Sequence, residues 1–385
     1  MQATPATKAQ RNAAERWFLT HGLPAVLRPG ALLRRVWSRS APALAGFAVV
    51  AANSILVVEL TGKHTIDIDG RPDLSEGLVL ASLVLVLPAA SAVGWLVSRI
   101  SSPLRRIVAS NTAIAVIALA VIFGGPSHRI LVNLLLAGIT VATILACTAT
   151  GIGSILGWAA RSTGSNLTLI GGMFLRALPV VLLTFLVFFN TYVWLMAAIV
   201  SRGRLWLALG FLFLIAASFL VSGTLDRVRP VLTSYQPSPD DMAGLAGTPF
   251  EAMPDRPGTD ALSRAERINV VFIVAATQLG QVLTVAIMTG TIFFVLGLIV
   301  ISPPLLEAWT RGSGSTDGQV LGMTLPIPNP LLQTTMMLTA ITFMYLAAKA
   351  VTDTEYRAQF LDPLIGEVRS TLVARERYRA SLPAR

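Results

Sequence analysis

Cysteine is nearly absent from the chain. Cys147 stands alone among 385 residues, which excludes an internal disulfide and a cysteine-ligated metal. Histidine is almost as scarce. His21, His64 and His128 lie far apart, and none has a second histidine or cysteine at ligand spacing, so there is no zinc signature. Gly-rich phosphate loops, HExxH and GxSxG are missing too, so the sequence points to no cofactor and to no catalytic grouping. Charge is the third shortage. Only 13% of residues are charged, where a soluble domain carries roughly a quarter. The first 40 residues lack the uninterrupted apolar core and small-residue cleavage site of a signal peptide, and no such leader is expected.

Long apolar runs are present instead, and the mean hydropathy is +0.68. The formal net charge of +10 comes from basic residues beside those runs. That is the positive-inside pattern of a membrane protein, and it accounts for the charge without a nucleic-acid partner. The longest simple crossing follows Arg176: Ala177 to Ser201 is 25 residues without charge, where about 20 suffice to cross the hydrocarbon. The expected fold is all-α, a polytopic transmembrane helix bundle of about eight spans. They fall near 41–60, 78–98, 107–125, 130–150, 177–200, 205–224, 280–302 and 330–350.

The loops fix an orientation. Lys63 and Arg71 are outnumbered by Asp67, Asp69, Asp73 and Glu76, so that loop is external. Arg99, Arg105 and Arg106, then Arg161 and Arg176, Arg227 and Arg229, and the arginines after Lys349 belong inside. Both termini are then cytoplasmic, in a plasma membrane. Arg202 and Arg204 disagree, falling outside. Two runs exceed one crossing: Ile130–Ala160 has 31 uncharged residues and Ile268–Leu306 has 39. The first part of the latter, Ile268–Leu279, is expected to be tilted, interfacial or buried among neighbours, with Ser263-Arg-Ala-Glu266 capping its start.

The domain organisation follows. Residues 1–40 form a basic interfacial segment, whose Trp17–Phe18 and Val36–Trp37 pairs suit an anionic membrane face better than a solvated tail. Residues 41–225 carry six spans, 226–267 form a proline-rich, mobile cytoplasmic linker, and 268–350 carry two spans. Residues 351–385 form an amphipathic tail with Leu361, Leu364, Ile365, Val368 and Leu372 on one stripe and Arg369, Arg375 and Arg379 elsewhere on its surface. No internal repeat is evident, which counts against an inverted-repeat transporter.

Polar residues within the apolar runs are the candidate functional positions, because they are costly to insert. Arg176 stands at the cytoplasmic boundary, as an orientation anchor or an anion site. Asn190 lies in the outer half of the fifth span. Gln278 and Gln281, at i and i+3, share a helix face; the bland reading of all three amides is interhelical hydrogen bonding. No acid is expected at mid-membrane, which argues against a proton relay. Asp67, Asp69, Gly70 and Asp73 loosely resemble the start of a calcium loop, but Leu78 occupies the position of the bidentate glutamate, and a short exposed strand explains Thr65–Asp69 as well.

Several segments resemble a family of uncharacterised actinobacterial multi-pass integral membrane proteins. They are Ala14-Glu-Arg-Trp-Phe18 with His21-Gly-Leu-Pro24; Arg176-Ala-Leu-Pro179 through Val193-Trp194; Arg267-Ile-Asn269 through Gln281, with Glu307-Ala-Trp309; and Ala350-Val-Thr-Asp353 with Tyr356 and Phe360. The resemblance implies origin and topology, and brings no activity, cofactor or site residue. The expected role is a non-enzymatic scaffold or accessory component of the cell envelope. Its partners would be the lipid bilayer, anionic lipids at the cytoplasmic face and a membrane protein. The alternative is a transporter of a small or lipidic solute.

Overall fold

The computed structural model describes residues 7–27, 29–68, 72–125, 129–165, 178–233, 239–251, 253, 261–320, 323–354 and 361–382. The fold is all-α, with a single two-stranded sheet among the described residues. Seven helices are long and apolar enough to cross a membrane, and a bent pair makes up to eight. The chain divides into two compact units, Met1–Ala31 with Ser154–Arg311 and Gln333–Arg385, and Leu32–Gly153 with Gly312–Leu332. This division does not fall at the 226–267 segment.

The larger unit begins with α1 (Lys8–Thr20), and its Thr7–Gln10 capping box satisfies the first free amides. A 3-10 turn, Pro24–Val26, follows. The smaller unit starts with α2 (Pro29–Leu33) at its edge and holds α3 (Val36–Thr61), α4 (Leu74–Ser98), α5 (Pro103–Gly124) and α6 (Ile130–Thr150). Asp73 caps α4 through the Glu76 amide at 2.7 Å, and Glu76 returns the bond to Asp73 N. Two of the acids in this loop are therefore helix caps, and α4 starts four residues earlier than expected. The bond from the Glu76 amide, then that from the Ser75 hydroxyl, holds the Asp73 carboxyl below its ordinary pKa.

Small residues bring α3 and α4 together. A Cβ on Gly46 would stand 3.2 Å from Ala90 O, and one on Gly94 3.1 Å from Pro42 O, so each glycine admits the other helix's backbone. Leu44 and Ala48 of α3 meet Ala113 and Ile117 of α5 in a small core. A hairpin of β1 (Gly318–Val320) and β2 (Met323–Leu325) takes residues 66–68 as an extra partner, with Ile68 N donating to Thr324 O at 3.1 Å. The Thr65–Asp67 alternation is thus strand-like, and Ile68 is buried. Asp69 and Gly70 lie outside the described residues.

The 31-residue run from Ile130 is not one crossing. Gly151, at φ +84°, ends α6 in the left-handed region, where only glycine is unstrained. The next helix, α7 (Ile152–Ser165), belongs almost entirely to the larger unit. There the chain continues through α8 (Leu178–Phe188), α9 (Thr191–Ile199), α10 (Arg202–Thr233), α11 (Pro239–Ala243), α12 (Arg264–Val300), α13 (Pro303–Thr310), α14 (Asn329–Thr352, its first turn in the smaller unit) and α15 (Asp362–Ala380).

Helix α12 is the axis of the larger unit. Its 37 residues reach about 55 Å at 1.5 Å per residue, well beyond an apolar thickness of about 30 Å. Ile268–Leu279 is therefore not a separate helix: it is continuous with the span, and Asn269, Val270, Ile273, Val274 and Gln278 within it are buried among neighbours. Around α12, Ala216 and Leu220 of α10 and Phe343, Leu346 and Ala347 of α14 pack on Val282, Val285 and Ala286. Phe213 stacks on Phe343, and Gly223 lies against Val351, so α10 and α14 run parallel. Thr224 meets Gln278 and Gly290 meets Thr339, so both run antiparallel to α12.

Candidate functional site

The most elaborate arrangement lies at the N-terminal foot of α12. Ser263 caps the helix as its sequence signals: Glu266 N donates to Ser263 Oγ at 3.2 Å, and Ser263 N donates to the Glu266 carboxylate at 2.8 Å. That carboxylate also receives Arg375 Nε at 2.7 Å, Arg375 Nη2 at 3.1 Å and Arg379 Nη2 at 2.9 Å. Glu266 and Arg375 are 1% and 3% exposed. A buried charge is tolerable only when paired and fully hydrogen-bonded, and four donors on one carboxylate meet that condition. Arg375 is therefore not a surface arginine, and Arg379 is partly covered, at 32% exposed. They extend the buried face of α15, where Leu364, Val368 and Leu372 are also covered.

The N-terminal segment is held against the same foot. Asn269 Nδ2 donates to Gly22 O at 2.9 Å, and Ala25 N donates to Asn269 Oδ1 at 3.0 Å. One carboxamide thus satisfies two backbone groups of a turn that has no sheet or helix partner. Gly22 sits at φ +72°, and a Cβ there would fall on Ile273, so the turn needs glycine for conformation and for space. Helix α7 adds Ser154 Oγ donating to Leu19 O and Arg161 Nη2 donating to Thr20 O at 2.7 Å.

Aromatic rings close the layer. Phe18 packs between Phe250 and Tyr378, with ring centres 5.1 and 5.4 Å away, and Trp17 meets Phe250 edge-on at 5.0 Å. Ala14, Phe18, Phe250 and Tyr378 are almost completely buried. Of the apolar residues of α1 that the sequence assigns to a membrane face, Phe18 is covered by protein, while Trp17 and Leu19 are half-buried. Within the proline-rich segment, Leu245, Phe250 and Met253 are buried, and Arg377 Nη1 donates to Phe250 O at 3.1 Å. Large apolar side chains gave this short segment something to bury despite the prolines around it.

His21 stacks on Trp17 at 3.8 Å, and its Nδ1 lies 2.9 Å from Trp17 O. Burial pushes its pKa below the usual imidazole value; the Trp17 carbonyl opposes that shift, and nearby Arg161 reinforces it.

Of the four candidates from the sequence, Gln278 and Gln281 lie one turn apart on α12, and Asn190 is not brought to them. Arg176 lies outside the described residues. Asn190 is a helix cap. The fifth span is broken there, with Val181–Phe188 and Thr191–Ile199 bent by 69°, and Asn190 Oδ1 accepts Tyr192 N at 3.0 Å. Trp194 is buried in the bend and donates to Phe188 O at 2.6 Å, a carbonyl left free by the break. Its ring also meets Trp309, and Phe188 meets Phe293. Phe293 is fifteen residues beyond Gln278 on α12, or about 22 Å along the axis.

Gln278 makes the interhelical bond its bland reading foresaw. Its Oε1 is 2.9 Å from the Thr224 hydroxyl, which also reaches Leu220 O at 2.7 Å. Gln278 lines a cavity of ≈ 180 Å³ with Leu220, Gly223 and Val351. Gln281 is buried one turn further on, and its Oε1 has no hydrogen-bond partner among the described residues. A buried unpaired acceptor is uncommon and costs about 1–3 kcal/mol.

Sequence reasoning missed the Glu266–Arg375–Arg379 cluster and the Asn269 clamp. A signal for the first exists: Arg375 and Arg379 continue the three- and four-residue spacing of Leu364, Val368 and Leu372. For Asn269 there is none, since nothing local marks an amide that will meet a turn 247 residues away. Compared with known proteins, the chain matches no family model, no curated protein and no solved structure.

Proposed function

We propose that the chain is a non-enzymatic multi-pass protein of the plasma membrane, with both termini cytoplasmic, that scaffolds or assists partner proteins of the cell envelope. The observation carrying this reading is the layer at the foot of α12. Segments far apart in sequence, 7–27, 245–253 and 361–382, fold on one another beyond the apolar part of the helix. A layer fixed by a buried ion cluster and an amide clamp is rigid enough to present a surface to a partner. The α1 and α15 helices meet at that foot, which supports placing both ends on one side, and the basic loops favour the cytoplasmic side. The exposed Arg16, Arg264 and Arg267 nearby suit anionic lipids there. The resemblance to actinobacterial membrane proteins supports a bacterial plasma membrane.

Crosslinked co-purification from the native membrane tests the role. A membrane protein recovered in fixed ratio, and lost on Arg375→Ala, is the expected outcome; recovery of lipid alone contradicts it. Reporter fusions at Met1 and Arg385 test the orientation, and an extracytoplasmic signal from either end overturns it.

Transport of a small or lipidic solute is the second reading. It draws on the unpaired Gln281 and on the cavity beside Gln278. Tracer flux in proteoliposomes that disappears on Gln278→Leu would favour it.

A further inference from the structure

Charge is sorted by depth in the smaller unit. Between Leu32 and Gly153 the acids are Glu59, Asp67, Asp69, Asp73 and Glu76, all at or beyond the C-terminal end of α3. The hairpin that pairs with this segment adds Asp317 at the same end. The opposite end carries Arg34, Arg35, Arg39, Arg99, Arg105 and Arg106 and none of the unit's acids. From this asymmetry we propose that the corner before α3 and the α4–α5 turn together hold the phosphate of an anionic phospholipid, such as phosphatidylglycerol, through Arg34, Arg35, Arg99 and Arg105.

The six arginines divide by what their guanidiniums meet. Arg39 Nη1 donates to Leu32 O at 2.7 Å, and its Nη2 to Thr148 O at 3.3 Å. Arg106 Nε donates to Ile100 O at 2.7 Å, and its Nη2 to Ser98 O at 2.6 Å. These two satisfy carbonyls at helix ends and build the surface. The other four are exposed, and among the described residues their guanidiniums have no hydrogen-bonded or acidic partner; that of Arg99 lies over the Trp95 ring at 4.5 Å. The frame also brings the four together. Ser110 Oγ stands 2.8 Å from Trp37 O and 3.1 Å from Arg106 O, so the backbone next to Arg35 and that next to Arg105 meet at one hydroxyl. Arg106 in turn bonds the residues on either side of Arg99. Long arginine side chains cover the distance that remains.

Depth suits a headgroup. Gly94 approaches Pro42 O, so five residues further along the antiparallel α4, Arg99 lies at about the level of Trp37. Trp37 and Trp95 are exposed, as tryptophans at a membrane interface are, and the uncharged stretches of α3, α4 and α5 begin at this level. The four guanidiniums thus stand where a bilayer presents its phosphates, and guanidinium matches phosphate through paired N–H donors. The backbone adds an independent sign. Arg35 sits at φ +59°, in the left-handed region that glycine enters without strain. Glycine would make this corner more easily, so an arginine held there points to a use for its side chain.

The inference rests on the orientation proposed above, which sets this end in the cytoplasmic leaflet, and is independent of the scaffold role. Its test titrates the full chain in detergent with phosphatidylglycerol or phosphatidylcholine and quantifies the lipid retained after gel filtration. Several-fold higher affinity for phosphatidylglycerol is expected. Arg35→Gly, which relieves the left-handed backbone and so keeps the fold, should lower that affinity about fivefold, and Arg99→Gln added to it should lower it by a similar factor again. Lys63→Gln with Arg129→Gln, an equal loss of charge at the other end of the unit, should leave it unchanged. An unaltered melting temperature will show that these chains are folded. Equal affinity for the two lipids, an unmoved affinity in the Arg35→Gly, Arg99→Gln chain, or the same loss in the Lys63→Gln, Arg129→Gln chain would overturn the proposal. So would displacement of the lipid by inorganic phosphate at the lipid's own concentration, which would mark a site for a free anion, or bound nucleic acid that phosphatidylglycerol fails to displace. Orientation is read separately, in a Cys147→Ser, Arg105→Cys chain. Its labelling in intact cells by an impermeant maleimide would overturn the cytoplasmic placement and leave the affinity measured in detergent standing.

Discussion

The two units solve the same problem with different materials. In the smaller unit the spans are joined by small residues and by a few side-chain hydrogen bonds, Trp37 Nε1 donating to Asn111 Oδ1 at 2.9 Å and Ser110 Oγ to Trp37 O at 2.8 Å. Helices α3 and α4 approach through Gly46 and Gly94, the core is four side chains with their partly covered neighbours, and the apolar window of α6 has 0% of its residues buried. In the larger unit half of the α14 window is buried, 50%, and α12 covers Glu266, Asn269, Thr277, Gln278 and Gln281 along its length. Apolar side chains gain nothing by leaving lipid for protein, so spans associate through close packing and polar contacts. Both units use both means, and the larger adds a buried ion cluster and an amide clamp. A polar contact is directional and fails all at once when a partner is lost, whereas close packing degrades by degrees. The larger unit should therefore respond more sharply to single changes.

The largest effect is expected at Glu266. Glu266→Ala leaves Arg375 buried without its acid and removes the capping partner of Ser263, a loss of about 3–5 kcal/mol. Thermal unfolding in detergent should shift strongly, and protease should reach 245–253 and α15. A wild-type melting profile would mean that the ion cluster is not what holds the layer. Gly94→Leu is the counterpart in the smaller unit. The new side chain meets the Pro42 carbonyl and forces α3 and α4 apart, at about 1–3 kcal/mol. Crosslinking between the two helices should weaken while α1 and α15 stay protected. Equal damage from both changes would erase the contrast between the units.

The smallest effect comes from pH. His21 has its pKa lowered by burial, so the packed state favours neutral imidazole. The unfolded chain then binds the extra proton first, and stability is full above the ordinary value of about 6.5. It falls as pH drops below that value toward the lower pKa of the packed state. Protection of α1 should weaken slightly between neutral pH and pH about 5, a decline that His21→Gln abolishes.

Much of the fold was legible in the sequence, because spans are long uncharged runs and need no partner to be recognised. What escaped was the interruption of one of them. Ala177–Ser201 is apolar throughout, so hydropathy reads one crossing, and only the capping bond from Asn190 and the Trp194–Phe188 contact reveal two helices. The fourth span, by contrast, ends where it was expected to, at Thr150 before Gly151. At the foot of α12, the capping box at Ser263 was readable because it is local. The same Glu266 serves two arginines 109 and 113 residues away, and no local pattern gives that. Amphipathic segments beside a membrane are ambiguous for the same reason. The stripes of α1 and α15 are as suited to lipid as to protein, and only the presence of Phe250 and of each other decides.

That decision is what the account rests on, and photo-crosslinking from position 18 tests it most directly. With p-benzoylphenylalanine in place of Phe18, in cells, the account predicts intramolecular crosslinks to 245–253 or to the Tyr378 region of α15, within reach of ring centres now 5.1 and 5.4 Å away. Adducts to lipid, with no crosslink to either segment, would place α1 on the membrane and contradict the layer at the foot of α12.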